Sequence, residues 1–220
     1  MDKKNTYRIG LAGNWSLPDL AEFSHALDQC YAFIYCLETK HSGAFERNIN
    51  NVLSSYPWEG GFSYVNAYAL FERQVPSPDK PMLLGIRKNS PGWLDLALNH
   101  LTISNIATAV SSFYGVAHAT TSAYKKAAKF LTALKQERQK RKLEGMAAST
   151  AQLKQMQAFT EQLAKGLGFK NVAALDAHTK SPEISLKLMM SYYRRLMVLT
   201  EMQNSGKVDF SAAQLPDDKP

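Results

Sequence analysis

The sequence predicts an α+β protein in which a small three-stranded sheet packs on helices, followed by a long helix and a C-terminal helical part. Three observations support this: short apolar runs typical of strands in the first hundred residues, apolar residues recurring at spacings of three and four, and Pro- and Gly-containing breaks between segments. We expect an N-terminal α/β part over 1–100, a connecting helix with a basic end over 101–144, a helical part over 145–206 and a flexible tail over 207–220.

The N-terminal part begins with a predicted strand and a long helix. Residues 6–12 form a short apolar run, and Gly13 after it is a turn residue. Ser16 is a favourable N-cap, and Pro18 suits the first turn of a helix. Apolar residues then recur at helical spacing, so the pattern predicts an amphipathic helix over 17–39.

Two shorter helices and a hairpin follow. Residues 45–56 place their apolar side chains on one side of a helix, and residues 62–74 favour a helix, although their aromatic content also suits a strand. Residues 82–88 and 93–98 alternate between two faces, and turn-forming residues at 89–92 join them, which predicts a hairpin.

The alternation in the first hairpin strand places Met82, Leu84 and Ile86 on one face. Together with residues 6–12, the hairpin makes the three-stranded sheet, and the first long helix is expected to cover one face of it.

The C-terminal part is predicted to be helical throughout. Helical spacing continues into a basic run, so we expect one helix over 101–143 and a hinge over 144–150. The next helix has Gly168 as its stop signal. The last helix has Ser181 as its cap and Gly206 just past its end.

The formal net charge of +7 is concentrated in one segment. Residues 124–144 contain eight Lys or Arg and two Glu, a net charge of +6, which leaves +1 for the rest of the chain. Such a helix can contact phosphates, so a nucleic-acid-binding protein is the alternative function, although a plain solvated face explains the charges too. The candidate polyanion-binding residues are Lys125, Lys129, Lys135, Arg138, Lys140, Arg141 and Lys142.

Residues 101–123 contain no charged side chain and are long enough to span a bilayer. They also contain Asn105, His118 and many hydroxyl groups, which are unfavourable in hydrocarbon. We therefore expect this segment to be buried against protein, and a membrane partner is disfavoured. A membrane-active effector that exposes residues 101–123 is kept as a third hypothesis.

The sequence contains no pattern typical of a catalytic or metal site. None of the five histidines stands in a metal-ligand pattern with Cys, Asp or Glu, apart from weak cases such as His25 near Asp28 and His178 near Asp176, and such pairs on a helix surface are usually structural. Neither a phosphate-binding loop nor a nucleophile elbow occurs. Gly10 and Gly13 have the wrong spacing for a dinucleotide fingerprint. We therefore predict a non-enzymatic protein with no cofactor, no metal and no small-molecule substrate.

Two cysteines and the N-terminal residues bear on localisation. Cys30 and Cys36 lie on different faces of one predicted helix, which favours reduced thiols over a disulfide. The first residues contain no apolar stretch long enough for a signal peptide. These features predict a cytoplasmic protein.

The last helix carries methionine and aromatic residues around more than one face, so it needs two neighbours. We expect a second molecule to cover part of it, as in a homo-oligomer or a complex with a protein partner. The predicted function is therefore a self-assembling or adaptor protein that acts through helix-mediated protein–protein contacts. The predicted partner interface consists of Met189, Met190, Tyr193 and Met197.

Two segments carry a resemblance. "GNWSLPDLAEFSHALDQCYAFIYCLE" over 13–38 and "GIRKNSPGWLDLAL" over 85–98, followed by a long helix with a basic end, resemble a group of uncharacterised bacterial proteins. The resemblance covers less than half of the chain and implies a bacterial, cytoplasmic origin without implying any activity.

Overall fold

The computed structural model describes residues 6–38, 40–55, 63–87, 92–140, 148–170 and 172–211. Within these residues a small antiparallel sheet accompanies a larger set of helices, which confirms the predicted α+β class. In chain order the elements are β1 (Thr6–Leu11), α1 (Leu17–Leu37), α2 (Gly43–Ser55), α3 (Ser63–Gln74), a 3₁₀ turn (Ser77–Asp79), β2 (Met82–Arg87), β3 (Gly92–Ala97), α4 (His100–Lys140), α5 (Thr150–Gly166), α6 (Val172–Thr179), α7 (Pro182–Asn204) and β4 (Val208–Asp209).

Within the described residues the sheet has four strands in the order β2-β3-β1-β4, not the three that the sequence predicts. The added strand β4 pairs with the end of β1, and both Val208 and Phe210 are buried. The Tyr7 hydroxyl donates a hydrogen bond to the Phe210 carbonyl at 2.6 Å. The prediction of a flexible tail from residue 207 is therefore wrong for residues 207–211, while residues 212–220 lie outside the described residues.

The helix α1 begins where its sequence predicts. The Asp19 amide donates to Ser16 Oγ at 3.2 Å, and the Ser16 amide donates to Asp19 Oδ2 at 2.9 Å, so the two residues form a capping box. A hydrogen bond from Lys207 is the main cause that lowers the Asp19 carboxyl pKa. Because the second half of α1 lies against α3, α4 and α7, it is buried on nearly every side.

The helices after α1 match the predicted types with small changes at their ends. Residues 43–55 are helical where 45–56 was expected, and residues 63–74 adopt the favoured helical conformation. Residues 56 and 62 lie outside the described residues.

The hairpin differs from the prediction in register. Across β3, Leu83 pairs with Leu96 and Ile86 pairs with Leu94, and a register shift lies between Leu83 and Gly85. The bulge adds one residue to β2, so Leu83 and Ile86 share a face that simple alternation would have separated. The predicted turn residues 89–91 lie outside the described residues.

The C-terminal helices begin and end at the predicted signals. The chain is helical from His100, one residue before the expected start, and the last predicted residues of that helix, 141–143, lie outside the described residues, as does most of the hinge. At the end of α5, Gly168 has a φ of +67° and the Phe169 amide donates to the Ala164 carbonyl at 2.9 Å. The short helix α6 was not predicted from the sequence, because eight residues are too few to show a clear helical periodicity.

The helix α7 lies at the centre of the molecule. It contacts α1 and α3 on one side, α4, α5 and α6 on the other, and β4 beyond its end. The rings of Phe33 in α1 and Tyr192 in α7 stack with centroids 4.7 Å apart. A continuous apolar core therefore runs from the sheet through α1 and α7 to α4 and α5.

Candidate interaction surface at the sheet edge

The predicted partner interface on α7 is buried inside the chain itself. Met189 is fully buried, Met190 and Tyr193 are each 6% exposed, and Met197 is half-buried. The Tyr193 ring stacks on Tyr124 of α4 with centroids 4.3 Å apart. The prediction that these residues form a partner interface is wrong for Met189, Met190 and Tyr193, because neighbouring helices of the same chain cover both faces of α7.

The basic residues of α4 fall into two groups. Four of the predicted polyanion-binding residues are exposed: Lys125, Lys129, Lys135 and Lys140. Arg138 instead faces α7, where its guanidinium donates to both carboxylate oxygens of Glu183 at 3.2 and 3.0 Å. Arg141 and Lys142 lie outside the described residues.

Glu183 is the acid that holds Arg138 in place. Burial raises the pKa of its carboxyl, but hydrogen bonds from Arg138 and Lys187 more than offset this, so the pKa lies below its ordinary value. Arg138 therefore helps to pack α4 against α7, and its charge is already paired with Glu183, unlike the charges of the exposed lysines.

The described residues show few features of a reactive site. Among them, no group of three or more His, Cys, Asp or Glu side chains could hold a metal ion. Cys30 and Cys36 are free and buried, and burial raises the pKa of both thiols. Neutral buried thiols are poor nucleophiles.

Among the described helices, none combines the length and the apolar character that a bilayer span requires. The segment 101–123 that suggested the membrane hypothesis forms the first half of α4. Its large apolar side chains Ile103, Ile106 and Phe113 are buried in the protein core.

Among the described residues, four exposed large apolar side chains lie next to one another at the β2 edge of the sheet. Leu83, Leu84 and Ile86 are 58%, 54% and 50% exposed, and Met82 beside them is 50% exposed. In the order β2-β3-β1-β4, β2 is the terminal strand, and within the described part of the chain β3 is its only neighbouring strand. Large apolar side chains on a sheet edge are unusual for a surface that stays in water.

Behind this edge lies a groove between β2 and α1, which we call the edge groove. It has a volume of about 1070 Å³. Its apolar wall extends from the buried sheet face to the exposed edge, and charged or polar side chains form its rim. The apolar lining consists of Leu20, Phe23, Leu27, Leu83, Ile86, Leu94 and Leu96, and the rim includes Glu22, His25, Asp28 and Lys80.

The start of β2 is fixed by two tyrosines of α1. The Tyr31 hydroxyl donates to the Asp79 carbonyl at 2.7 Å, and the Tyr35 hydroxyl donates to Asp79 Oδ2 at 2.7 Å. The Asn99 amide in turn donates to the Tyr31 hydroxyl at 3.0 Å. Burial is the main cause that raises the pKa of Tyr31 to about 12, so this hydroxyl remains a donor at neutral pH.

Contacts on the face of the sheet opposite the edge groove fix the position of β2. The guanidinium groups of Arg8 and Arg87 each lie 4.5 Å from the centre of the Trp93 ring. Arg8 also donates to both oxygens of Asp95 at 2.7 and 2.8 Å. These contacts cross β1, β3 and β2, so the edge strand is tied to the rest of the sheet.

The alternation of residues 82–88 predicts the β2 strand but does not indicate that it is an exposed surface. A signal was present, since no charged residue occurs between Met82 and Ile86. Whether a hairpin strand lies at an edge depends, however, on which of the two strands pairs with β1.

Comparisons with protein-family models, curated proteins and solved structures find no match for the chain. The resemblance of residues 13–38 and 85–98 to a group of bacterial proteins therefore stays a prediction.

Proposed function

We propose that the protein is a non-catalytic, self-assembling protein whose interface is the β2 edge together with the edge groove, and that the occupant is a second copy of the chain. The observation that supports this most is a row of half-exposed apolar side chains on a terminal strand. An edge strand offers backbone N–H and C=O groups to another strand, and apolar side chains favour its removal from water.

The strand is complementary to itself in the antiparallel direction. If a two-fold axis lies between Leu84 and Gly85, Leu83 of one copy lies opposite Ile86 of the other. Leu83 and Ile86 share the groove face of the sheet, so apolar side chains meet on both sides of the axis. A two-fold interface of this kind is closed and stops at a dimer.

The edge groove extends the interface beyond the strand. In the proposed pairing the two grooves adjoin across the axis, because Leu83 and Ile86 line the groove in each copy. The pairing therefore joins two four-stranded sheets and covers apolar surface on α1 as well as on β2. This places the contact at a strand and a groove, whereas the sequence predicted a helix face.

The test compares two equally exposed leucines. Leu83→Lys puts a charge on the proposed interface, and Leu101→Lys puts the same charge on a leucine that is 55% exposed at the start of α4. We expect the unmodified protein and Leu101→Lys to dimerise with increasing concentration in sedimentation velocity, and Leu83→Lys to remain monomeric. A protein that is monomeric at every concentration, or a Leu83→Lys variant that dimerises as before, would contradict the proposal.

Hydrogen exchange distinguishes a dimer formed by pairing of two β2 strands from a dimer formed through the edge groove alone. Pairing of β2 with a second β2 predicts that backbone amides within residues 82–87 gain protection as the dimer forms. A dimer without such protection would show that another surface forms the interface.

A further inference from the structure

We propose that α4 binds the phosphate backbone of double-stranded nucleic acid through one exposed face. This face, which we call the basic stripe, consists of His118, Ser122, Lys125, Lys129, Gln136 and Lys140. Their spacings of three, four and seven residues place them along one side of a helix. Ser122 is half-buried and the other five are exposed.

The charges on the basic stripe are all of one sign. The only acidic residue of α4 is Glu137, which lies three residues before Lys140 and therefore borders the stripe only at its C-terminal end. On the opposite face, by contrast, Arg138 is neutralised by Glu183. Since solvated helix faces usually mix both signs, a face that carries cations and no acid from His118 to Gln136 indicates an anionic partner.

The dimensions fit an extended partner. From His118 to Lys140 the stripe is about 33 Å long at 1.5 Å per residue. At its N-terminal half an open hollow of about 550 Å³ is lined by His118, Ser122, Lys125 and Lys129, with Lys126 beside them. The side chains of Ser122 and Gln136 can donate hydrogen bonds to phosphate or sugar oxygens between the lysines.

The described aromatic side chains argue for a duplex over a single strand. Phe113 is buried in the core, Tyr124 stacks on Tyr193, and Phe130 packs against Phe159 with centroids 5.9 Å apart. Binding of single strands commonly uses aromatic side chains that stack on unpaired bases. The basic stripe has none of these, so its contacts are to the backbone and independent of base sequence.

The composition of the stripe also argues against a membrane surface. Helices that lie on anionic membranes combine lysines with large apolar side chains that enter the lipid. Ala117 and Ala133 lie beside the stripe, and these side chains are too small to anchor a helix in lipid.

The test is a salt titration of binding to a duplex DNA of arbitrary sequence, followed by fluorescence anisotropy. The variant Lys125→Gln/Lys129→Gln/Lys140→Gln removes three charges from the stripe. The control Lys40→Gln/Lys154→Gln/Lys165→Gln removes three exposed charges elsewhere. Because each phosphate contact contributes about −0.9 to the slope of log K against log salt, the stripe variant is expected to flatten the slope by about 2.7, and the control to leave it unchanged.

Several outcomes would overturn this inference. Equal slopes for the stripe variant and the unmodified protein would show that these lysines do not contact phosphate. Tighter binding to single-stranded DNA than to the duplex would exclude the backbone of a duplex as the partner. Binding to phosphatidylserine vesicles in the absence of duplex binding would assign the stripe to a membrane. Thermal unfolding of all variants checks that they are folded.

The inference is independent of the proposed dimer. The basic stripe lies on α4 and the edge groove lies between α1 and β2, so Leu83→Lys is expected to abolish dimerisation while each chain keeps its salt dependence. A result that contradicts the proposed dimer therefore does not contradict the proposed binding of nucleic acid, and the reverse also holds.

Discussion

The helix α7 and the strand β2 both carry several large apolar side chains, but these have different surroundings. Met189 in the middle of α7 is fully buried, whereas Leu83 in β2 is 58% exposed. The helix lies between α1 and α3 on one side and α4 and α5 on the other. Among the strands that the structure describes, only β3 lies beside β2. The difference shows that apolar content does not identify an interface. An interface requires apolar residues that the chain itself leaves uncovered.

The largest expected effect tests this contrast directly. Met189→Ala is expected to lower the free energy of unfolding by about 2–5 kcal/mol, because it leaves a cavity in a closely packed site. Leu83→Ala, measured below the concentration at which dimers form, is expected to lower it by less than about 1 kcal/mol, since half of the side chain is already in water. Urea unfolding measures the free energy of unfolding of both variants. Similar losses for the two variants would mean that β2 is covered in solution.

A smaller effect is expected at the N-terminal end of α7, where Glu183 binds Arg138 of α4. Glu183→Gln keeps the shape of the side chain and removes its charge, so we expect a loss of about 1–2 kcal/mol at neutral pH. The folded-state pKa of Glu183 lies below its ordinary value of 4.5, so its contribution is present above that value and is lost as the pH falls through the folded-state pKa.

The measurement is urea unfolding of Glu183→Gln and the unmodified protein at neutral and acidic pH. The difference between the two proteins should be largest near neutrality and shrink at low pH. A difference that stays constant with pH would show that the ion pair does not link α4 to α7. Lys154→Gln, an exposed position on α5, serves as the control.

The smallest effect concerns the other edge of the sheet, which β4 occupies. Tyr7→Phe removes the hydroxyl that donates to the Phe210 carbonyl, leaving a buried acceptor without this donor, and is expected to cost about 1 kcal/mol. Tyr124→Phe is the matched control, because its hydroxyl lies near the exposed guanidinium of Arg194 at 3.4 Å.

Hydrogen exchange locates the effect of Tyr7→Phe. Amides of residues 208–210 are expected to exchange faster, while those of β2 stay unchanged in the monomer. Unchanged exchange at residues 208–210 would mean that β4 is held mainly by burial of Val208 and Phe210.

Much of the fold could be predicted from local signals. Ser16, Gly168 and Ser181 mark helix ends because a cap or a left-handed residue satisfies backbone groups close in sequence. The strand β4 could not be predicted in this way. Two residues form no recognisable period, and the pairing of Val208 with Leu11 joins opposite ends of the chain.

The candidate site was only partly predictable for the same reason. The positions of Lys125, Lys129 and Lys140 along one face follow from helical spacing. The ion pair of Arg138 with Glu183 was not predictable, because it depends on how α4 packs against α7. The position of Leu83 on the groove face was not predictable either, because the bulge depends on the pairing of β2 with β3.

The sequence by itself determined the α+β class, the main helices and their caps, and the clustering of positive charge on one helix. Only the tertiary structure decided that α7 is covered on both faces and that β2 is left at an edge. Periodicity records which side chains share a face, because neighbours along the chain set that geometry. Whether the face is covered depends on contacts between residues far apart in the chain, such as Phe33 and Tyr192.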